Sequence, residues 1–579
     1  MKYDVVFLHP PAIHDFRKRV FFPGAIARTV PFSSSQFITI PVGLLSMAEY
    51  LERNGYSAKI FNLGEFMIAD RNFEVDEFIK RTKANIYAID LHWCVHSHGA
   101  IEIARICKKI RPSSSLVLGG LTATCFHREI VQKFKFIDFI VRGEAEIPFL
   151  MLTERLERQK NVENVPNLTY INKNGRISIN PTMKPVDTLD NYDFTRLDLV
   201  EPKKLLLERI TDGSVLRWWC IPIARGCIYD CVCCGASSYA YRKMFNRDAP
   251  ALRSPQKIIE DINRLREQGI DQVSLFQDPR IGGRKYWENL FSLLSKEKVD
   301  VNGLDMELFV PANEEYLKAI AKIGVPIALT ISPESGSESV RRAHGRNYST
   351  DDLIKTAKLC QKYSLDIGVF FMLSLGEETI HTIRETWNLW ERLYSLNLEG
   401  YIKNGEKASI VKPEFGFMLL LDPGSLAFDF PEKYGYRLIF KNFEDYYNGM
   451  MMPSWNLWLS YEPRFLDRRT LTDLITKSLE IMVDLEARYR FLCENPSDTA
   501  MLSFELFKIK AWHWIGREVE AIMNLSNLEE RNKRLMVLKE TFEEYLNPER
   551  FKVTKSDPFG YNKSLEDLYH QSLGLMNGI

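Results

Sequence analysis

A chain of 579 residues exceeds one ordinary core, so roughly two to four domains are expected. It is 45% hydrophobic and 26% charged without a biased tract, the composition of a globular protein. Lys+Arg and Asp+Glu balance at 76 each, which leaves no net field to attract nucleic acid or an acidic membrane. The first residues lack the apolar core and small-residue cleavage site of a signal peptide. The strongest apolar run, residues 415–421, is strand-sized and far short of a membrane span. A soluble, cytoplasmic protein is expected, with peripheral docking at a membrane left open.

Residues 1–150 alternate strand and helix signals. Residues 4–9 form an apolar run that ends at Pro10-Pro11, as a buried parallel strand does. Helical spacing follows over 42–54, stopping at Gly55, and a strand returns over 58–63. Further strands are predicted at 86–91, 115–118 and 136–141, with helices near 100–110 and 127–134. This alternation predicts a doubly wound, Rossmann-like parallel sheet that takes ligands at the carboxyl ends of its strands. The long insertion over residues 15–41 should sit over that edge.

Residues 151–213 read as a connector with short polar strands. A second α/β region, 214–429, carries strand signals near 218–224, 273–276, 303–308, 327–331, 367–373 and 415–421, which suits a full or partial β/α barrel. Ser254-Pro255 forms a good cap and first turn for a helix over 254–268. Residues 430–579 are expected to form a mainly helical, aromatic-rich terminal domain.

Ten cysteines in a long intracellular chain argue against a disulfide framework. Cys94, Cys107, Cys125, Cys360 and Cys493 are scattered among apolar neighbours, as buried structural thiols are. The other five crowd between 220 and 234. The spacing Cys227-x3-Cys231-x2-Cys234 lets one loop turn three thiolates towards a single cubane, with one iron left open. A zinc knot, with Cys220 or Cys233 as a fourth ligand, is the alternative.

On this triplet the chain resembles the radical S-adenosylmethionine (SAM) superfamily, whose signature follows the first barrel strand. Further motifs agree in order. Gln277-Asp278 ends a strand where the family has polar groups near the SAM methionine. Glu334-Ser335-Gly336-Ser337 resembles the E-S-G-S segment on SAM. Ser374-Leu375-Gly376-Glu377-Glu378-Thr379 resembles G-L-P-G-E-T near the adenine. Two departures stand out: Cys233 replaces the usual aromatic before the third cysteine, and Gly376-Glu377 replaces Pro-Gly. The resemblance implies a [4Fe–4S] cluster on Cys227, Cys231 and Cys234, and SAM contacts from Gln277, Asp278, Glu334, Ser335, Gly376 and Glu377. It also implies a 5′-deoxyadenosyl radical that removes hydrogen from an unactivated carbon, with no catalytic side chain beyond the cluster.

A doubly wound domain ahead of such a barrel is similar to the cobalamin-binding class. That likeness implies cobalamin contacts from Pro10, Leu91, Gly119, Gly120, Thr122, Gly143 and Glu144, the glycines giving the backbone close approach. The cobalt-ligating D-x-H-x-x-G motif is absent, since Val95 stands where its glycine would be. Cobalamin without a protein histidine ligand is therefore expected, with His92, His96 and His98 as loop or helix-start residues.

Within this class the resemblance points to C–C bond formation, by cobalamin-dependent methylation or by ring closure. The aromatic terminal domain suits a large apolar, lipid-like substrate and resembles the archaeal branch with tetraether lipid ring synthases. An external electron donor, flavodoxin- or ferredoxin-like, is implied. RNA modification and a non-catalytic iron–sulfur protein stay open as alternatives, although neutral charge gives no reason to expect a nucleic-acid partner.

Overall fold

The computed structural model describes residues 2–22, 24, 37–202, 208–211, 214–297, 299–404, 409–418, 420–493 and 499–545. Part of the insertion over 15–41, and residues 546–579 of the terminal domain, lie outside them.

The amino-terminal strands are β1 (Lys2–His9), β2 (Ala58–Asn62), β3 (Lys83–Asp90), β4 (Ser115–Gly119) and β5 (Phe139–Val141). They pair in parallel in the order β5-β4-β3-β1-β2. Their side chains alternate between two cores, as a sheet covered on both faces requires. Val5 and Phe7 pack in one core, Val6 and Leu8 in the other.

The expected connector adds strands to this sheet. β6 (Leu168–Ile171) and β7 (Ile177–Ile179) extend it antiparallel beyond β5, and β8 (Val200–Glu201) pairs with β2 at the far edge. The helix expected over 127–134 is His127–Lys133, and a short helix, Leu121–Cys125, precedes it, with Phe126 between the two.

The second sheet contains β9 (Glu208–Thr211), β10 (Ser214–Pro222), β13 (Gln272–Phe276), β14 (Gly303–Leu308), β15 (Ile327–Glu334), β16 (Asp366–Leu373) and β17 (Val411–Phe417). Between β10 and β13 a small antiparallel pair, β11 (Ala224–Arg225) and β12 (Ala251–Leu252), flanks the cysteine loop. The sheet order is β17-β16-β15-β14-β13-β10-β9, with only β9 antiparallel. Its edges, β17 and β9, do not pair with each other among the described residues, so the barrel is partial. Leu304, Met306 and Leu308 of β14 pack against the helical layer, while Asp305 and Glu307 point to the concave side. The helix Pro255–Glu267 starts as its sequence suggests: Ser254 Oγ accepts the Lys257 N–H at 3.4 Å, and Pro255 opens the first turn.

Beyond the barrel lie the hairpin β18 (Tyr436–Leu438) and β19 (Tyr461–Pro463), then helices Arg468–Cys493, Thr499–Met523 and Leu528–Tyr545. Trp387 Nε1 donates to Ser478 Oγ at 2.8 Å and joins these helices to the barrel.

Candidate active site

The cysteine loop leaves β11 through Gly226 at φ +107°, where a Cβ would lie 2.9 Å from Arg247 Cδ and 3.1 Å from Pro250 Cα. That entry needs glycine. The Cys231 carbonyl accepts the Cys234 N–H at 3.2 Å, which closes the turn. The sulfurs of Cys227 and Cys234 accept N–H groups of Tyr229 and Ala236, both at 3.4 Å, an arrangement that favours thiolate. Burial pushes all three thiols up, Cys231 to about 11, and the Arg346 guanidinium draws Cys227 and Cys231 back down. Coordination to iron would remove those protons outright.

Among the described residues no group of three His, Cys, Asp or Glu converges on a single-ion position. Cys233 turns away into an apolar cluster with Val232, Tyr436 and Tyr461, and is no fourth ligand in this arrangement. Three thiols on one turn suit a cubane with a free iron and not a four-ligand zinc site.

The neighbouring strand ends share a feature invisible in the sequence. Gln277, Glu334 and Ser374, at the ends of β13, β15 and β16, have φ of +80°, +69° and +79°. Non-glycine residues adopt this conformation at a cost, and such residues gather at functional sites. The Gln277 N–H donates to Glu307 Oε2 at 2.6 Å. Glu334 Oε1 accepts Arg346 Nη2 at 2.8 Å and Nε at 3.2 Å. Gln277 Oε1 and Glu334 Oε2 are buried without a partner. Orphaned acceptors of this kind call for donors, and the amino and ribose hydroxyl groups of SAM are donors.

Other expected SAM residues have internal partners. Asp278 caps the short helix Pro279–Gly282, is clamped by Arg280 Nη2 at 2.6 Å, and accepts the Phe309 N–H at 2.8 Å. The Ser335 hydroxyl is buried and accepts the Ser337 N–H at 3.2 Å. Glu377 pairs outward with Arg464 at 3.0 Å. The inward carboxylate is its neighbour Glu378, which sequence reasoning passed over. Glu378 Oε2 accepts the N–H groups of Ser374 at 2.8 Å and Leu375 at 3.1 Å, while Oε1 is orphaned. Burial pushes its carboxyl up to about 8 against those two N–H groups. The signal was in the motif, where Glu378 and not Glu377 aligns with the E of G-L-P-G-E-T.

Pro10, Leu91, Gly119-Gly120 and Gly143-Glu144 line the carboxyl ends of β1, β3, β4 and β5, the ligand edge of such a sheet. At Gly119 an added Cβ meets only the Val141 carbonyl, at 3.5 Å, so a ligand can approach the backbone. Gly120, at φ +109°, would instead place a Cβ 2.6 Å from His92 Cα. It is needed to pack this loop, as is Thr122, whose hydroxyl donates to the His92 carbonyl at 2.9 Å. The Gly143 N–H donates to Thr124 Oγ1 at 2.9 Å. His9 Nδ1 lies 2.8 Å from Asp90 Oδ2, and the Nε2 atoms of His9 and His96 donate to the Phe37 carbonyl at 3.0 and 2.9 Å. A carbonyl only accepts, so His96 Nδ1 is a bare lone pair, buried without a partner, and burial lowers this imidazole to about 3. His92 lies in the loop after β3, His96 in the turn Cys94–His96, and His98 at the start of the helix Ser97–Ile110. The open backbone at Gly119 and the orphaned imidazole nitrogen leave this edge fit to receive a large polar cofactor.

The sheet edge and the cysteine loop meet. Glu144 pairs with Arg247 at 2.6 Å and Arg225 at 3.4 Å, and Glu146 pairs with Arg225 at 2.6 Å. Burial would raise Glu146, but the Arg225 guanidinium outweighs it and holds the carboxyl below its ordinary value. Arg225 stands two residues before Cys227, so these pairs fix one unit against the other. Glu144 is thus occupied at the domain junction.

Comparison with known proteins accords with this architecture. Residues 221–389 match the model of the radical SAM superfamily, and residues 28–152 match that of the B12 binding domain. An uncharacterized methyltransferase of Pyrococcus horikoshii is 23% identical over 355 residues, 61% of this chain and 73% of that protein. The hopanoid C-3 methylase of Methylococcus capsulatus is 27% identical over 244 residues, 41% of this chain and 43% of the methylase. In fold, the cobalamin-dependent S-adenosylmethionine radical enzyme OxsB, solved with aqua-cobalamin and S-adenosylmethionine bound, matches at a TM-score of 0.59 and 14% identity. That match covers 98% of this chain and 84% of the other. The radical SAM domain carries [4Fe–4S] and SAM chemistry and needs an external reductant; the B12 domain serves cobalamin. No helix among the described residues is long and apolar enough to cross a membrane. The chain thus carries a radical SAM domain behind an amino-terminal B12 binding domain, the architecture of enzymes that join [4Fe–4S], SAM and cobalamin, and it is similar to cobalamin-dependent radical SAM methyltransferases.

Proposed function

We propose that this enzyme forms a C–C bond at an unactivated carbon of a large apolar substrate, by methylation or ring closure, with Cys227, Cys231 and Cys234 holding its cluster. The observation that carries the reading is the junction itself, where Arg225 and Arg247 tie the cysteine loop to the ligand edge of the B12 sheet. When bound, the three cofactors supply the one-electron chemistry and the methyl group. The chain's part is to bind, orient and exclude water. Gln277 and Glu334 offer buried acceptors to SAM, Gly119 gives backbone access to cobalamin, and Arg346 neutralises Glu334 beside the cluster. Ile228, between two of the cysteines, is 51% exposed, and Phe276, at the end of β13, is 49% exposed. Apolar side chains at these two positions beside the cysteine loop and the strand end suit an aliphatic substrate. Ring closure without methyl transfer, as in tetraether lipids, fits the same surface. A flavodoxin- or ferredoxin-like donor and a cytoplasmic setting complete the proposal.

The test is anaerobic purification with an absorption spectrum and corrin extraction, then incubation of the reduced protein with SAM. Release of 5′-deoxyadenosine and iron–sulfur absorption are expected; failure to cleave SAM in the presence of authentic substrate overturns the reading. In lipid extracts from an expressing host, a gain of about 14 mass units marks each methyl, and a loss of about two each ring.

A further inference from the structure

Two departures from the radical SAM pattern, Cys233 in place of an aromatic and Gly376 in place of proline, lie against the same side chain. Cys233 is 6% exposed and shares its apolar cluster with Tyr436 of β18 and Tyr461 of β19. The two tyrosine rings meet edge to face at 5.1 Å in that cluster. At Gly376 an added Cβ would lie 2.6 Å from the Tyr436 ring and 2.1 Å from the Tyr434 carbonyl oxygen. A side chain there, proline included, collides with the hairpin.

The same tyrosine is linked to the peptide between two of the cysteines. His344 Nδ1 donates to the Val340 carbonyl at 2.9 Å, so its Nε2 accepts the Tyr436 hydroxyl at 3.0 Å. The His344 carbonyl accepts the Val232 N–H at 3.3 Å, and the Val232 carbonyl accepts the Ala427 N–H at 2.9 Å. After the third cysteine, the Gly235 N–H donates to Asp422 Oδ2 at 3.0 Å. Both sides of the Val232 residue are therefore held, one through a chain that begins at the hairpin and the other by the segment just after the barrel.

We propose that Tyr436, backed by Tyr461, supplies from the post-barrel hairpin the aromatic packing that Cys233 does not, and so is a positioning residue for the cysteine loop. Gly376 is the second half of this exchange: it clears the space into which the ring enters. The inference rests on the reading of Cys227, Cys231 and Cys234 as cluster ligands. Outer groups that orient ligands typically change metal retention by about tenfold or more when removed.

The experiment compares wild type, Tyr436→Phe, Tyr436→Ala, Cys233→Phe and the double variant Cys233→Phe/Tyr436→Ala, each reconstituted anaerobically. Iron per chain and the rate of iron loss to a ferrous chelator are measured, with a thermal melt for folding. Tyr436→Phe keeps the ring but leaves His344 Nε2 unpaired, so its iron loss should fall between that of wild type and that of Tyr436→Ala, which should lose iron about tenfold faster than wild type. Cys233→Phe alone overfills the site and should also lose iron faster, while the double variant recovers most of the loss. If Tyr436→Ala does not fold, regained thermal stability in the double variant reads the same compensation. Losses that merely add in the double variant, or unchanged retention in folded Tyr436→Ala, overturn the proposal. Absence of iron from wild type would instead refute the ligand reading, and the melts would still report the exchange.

Discussion

Glu144, at the end of β5, and Arg247, beyond the cysteine loop, form an ion pair at 2.6 Å with side-chain exposures of only 9% and 4%. Arg247 also donates to the carbonyls of Ala249 and Val186. Removing Arg247 leaves the buried Glu144 carboxylate with only its longer, 3.4 Å contact to Arg225. Arg247→Met should therefore lower stability by about 3–5 kcal/mol in guanidinium unfolding. A loss under about 1 kcal/mol would show that the junction is not held here.

The two adjacent glycines after β4 should separate folding from ligand binding. Gly120→Ala forces a Cβ against His92 in a left-handed conformation and should cost about 1–3 kcal/mol or prevent folding. Gly119→Ala meets only ordinary contact, so it should fold with an unchanged melting temperature and retain less corrin through gel filtration. Equal corrin retention in Gly119→Ala and wild type would move the cofactor away from this backbone.

Glu378 should leave a signature in pH. Its carboxyl ordinarily titrates at 4.5 and is raised to about 8 by burial. Between those values the folded state keeps a proton that the unfolded chain has released, so stability falls as pH rises across the window. Glu378→Gln cannot ionise and should lack this slope. The difference in melting temperature between variant and wild type should grow in the variant's favour from pH 5 to 8, and a constant difference would count against the buried proton.

Single alanine substitutions distinguish cluster ligands from bystanders. Cys227→Ala, Cys231→Ala and Cys234→Ala should each abolish the iron–sulfur absorption of reconstituted protein, since one lost thiolate leaves the cubane two anchors. Cys220→Ala and Cys233→Ala should retain it, because Cys220 is buried in β10 and Cys233 faces the tyrosine cluster.

Much of this architecture was legible because it is written locally. Apolar runs at the pitch of alternating strands and helices located β1 to β5 and most of the barrel, and Ser254-Pro255 marked a helix start with its cap. Cysteine spacing within one loop located the triplet. What escaped is long-range or conformational. β6, β7 and β8 are short, and only the pairing of β6 with β5, β7 with β6 and β8 with β2 reveals that they belong to the first sheet. The choice between Glu377 and Glu378 depends on the turn after Ser374, whose φ of +79° no local pattern announces. Arg225 and Glu146 are 79 residues apart, so neither hints at the other. Asp278 is expected from its motif to contact SAM, yet Arg280, two residues on, pairs with it at 2.6 Å.

The unpaired edges of the second sheet bear on size. A closed barrel confines its guest to a bore whose width is set by the number of strands. Here β17 and β9 leave the ring incomplete among the described residues. On the proposed reading of a long apolar substrate, only its reacting part has to fit beneath the cysteine loop. On that reading, tolerance for bulk follows from the unpaired edges β17 and β9, and a change of substrate length requires no change in the residues around the reacting carbon.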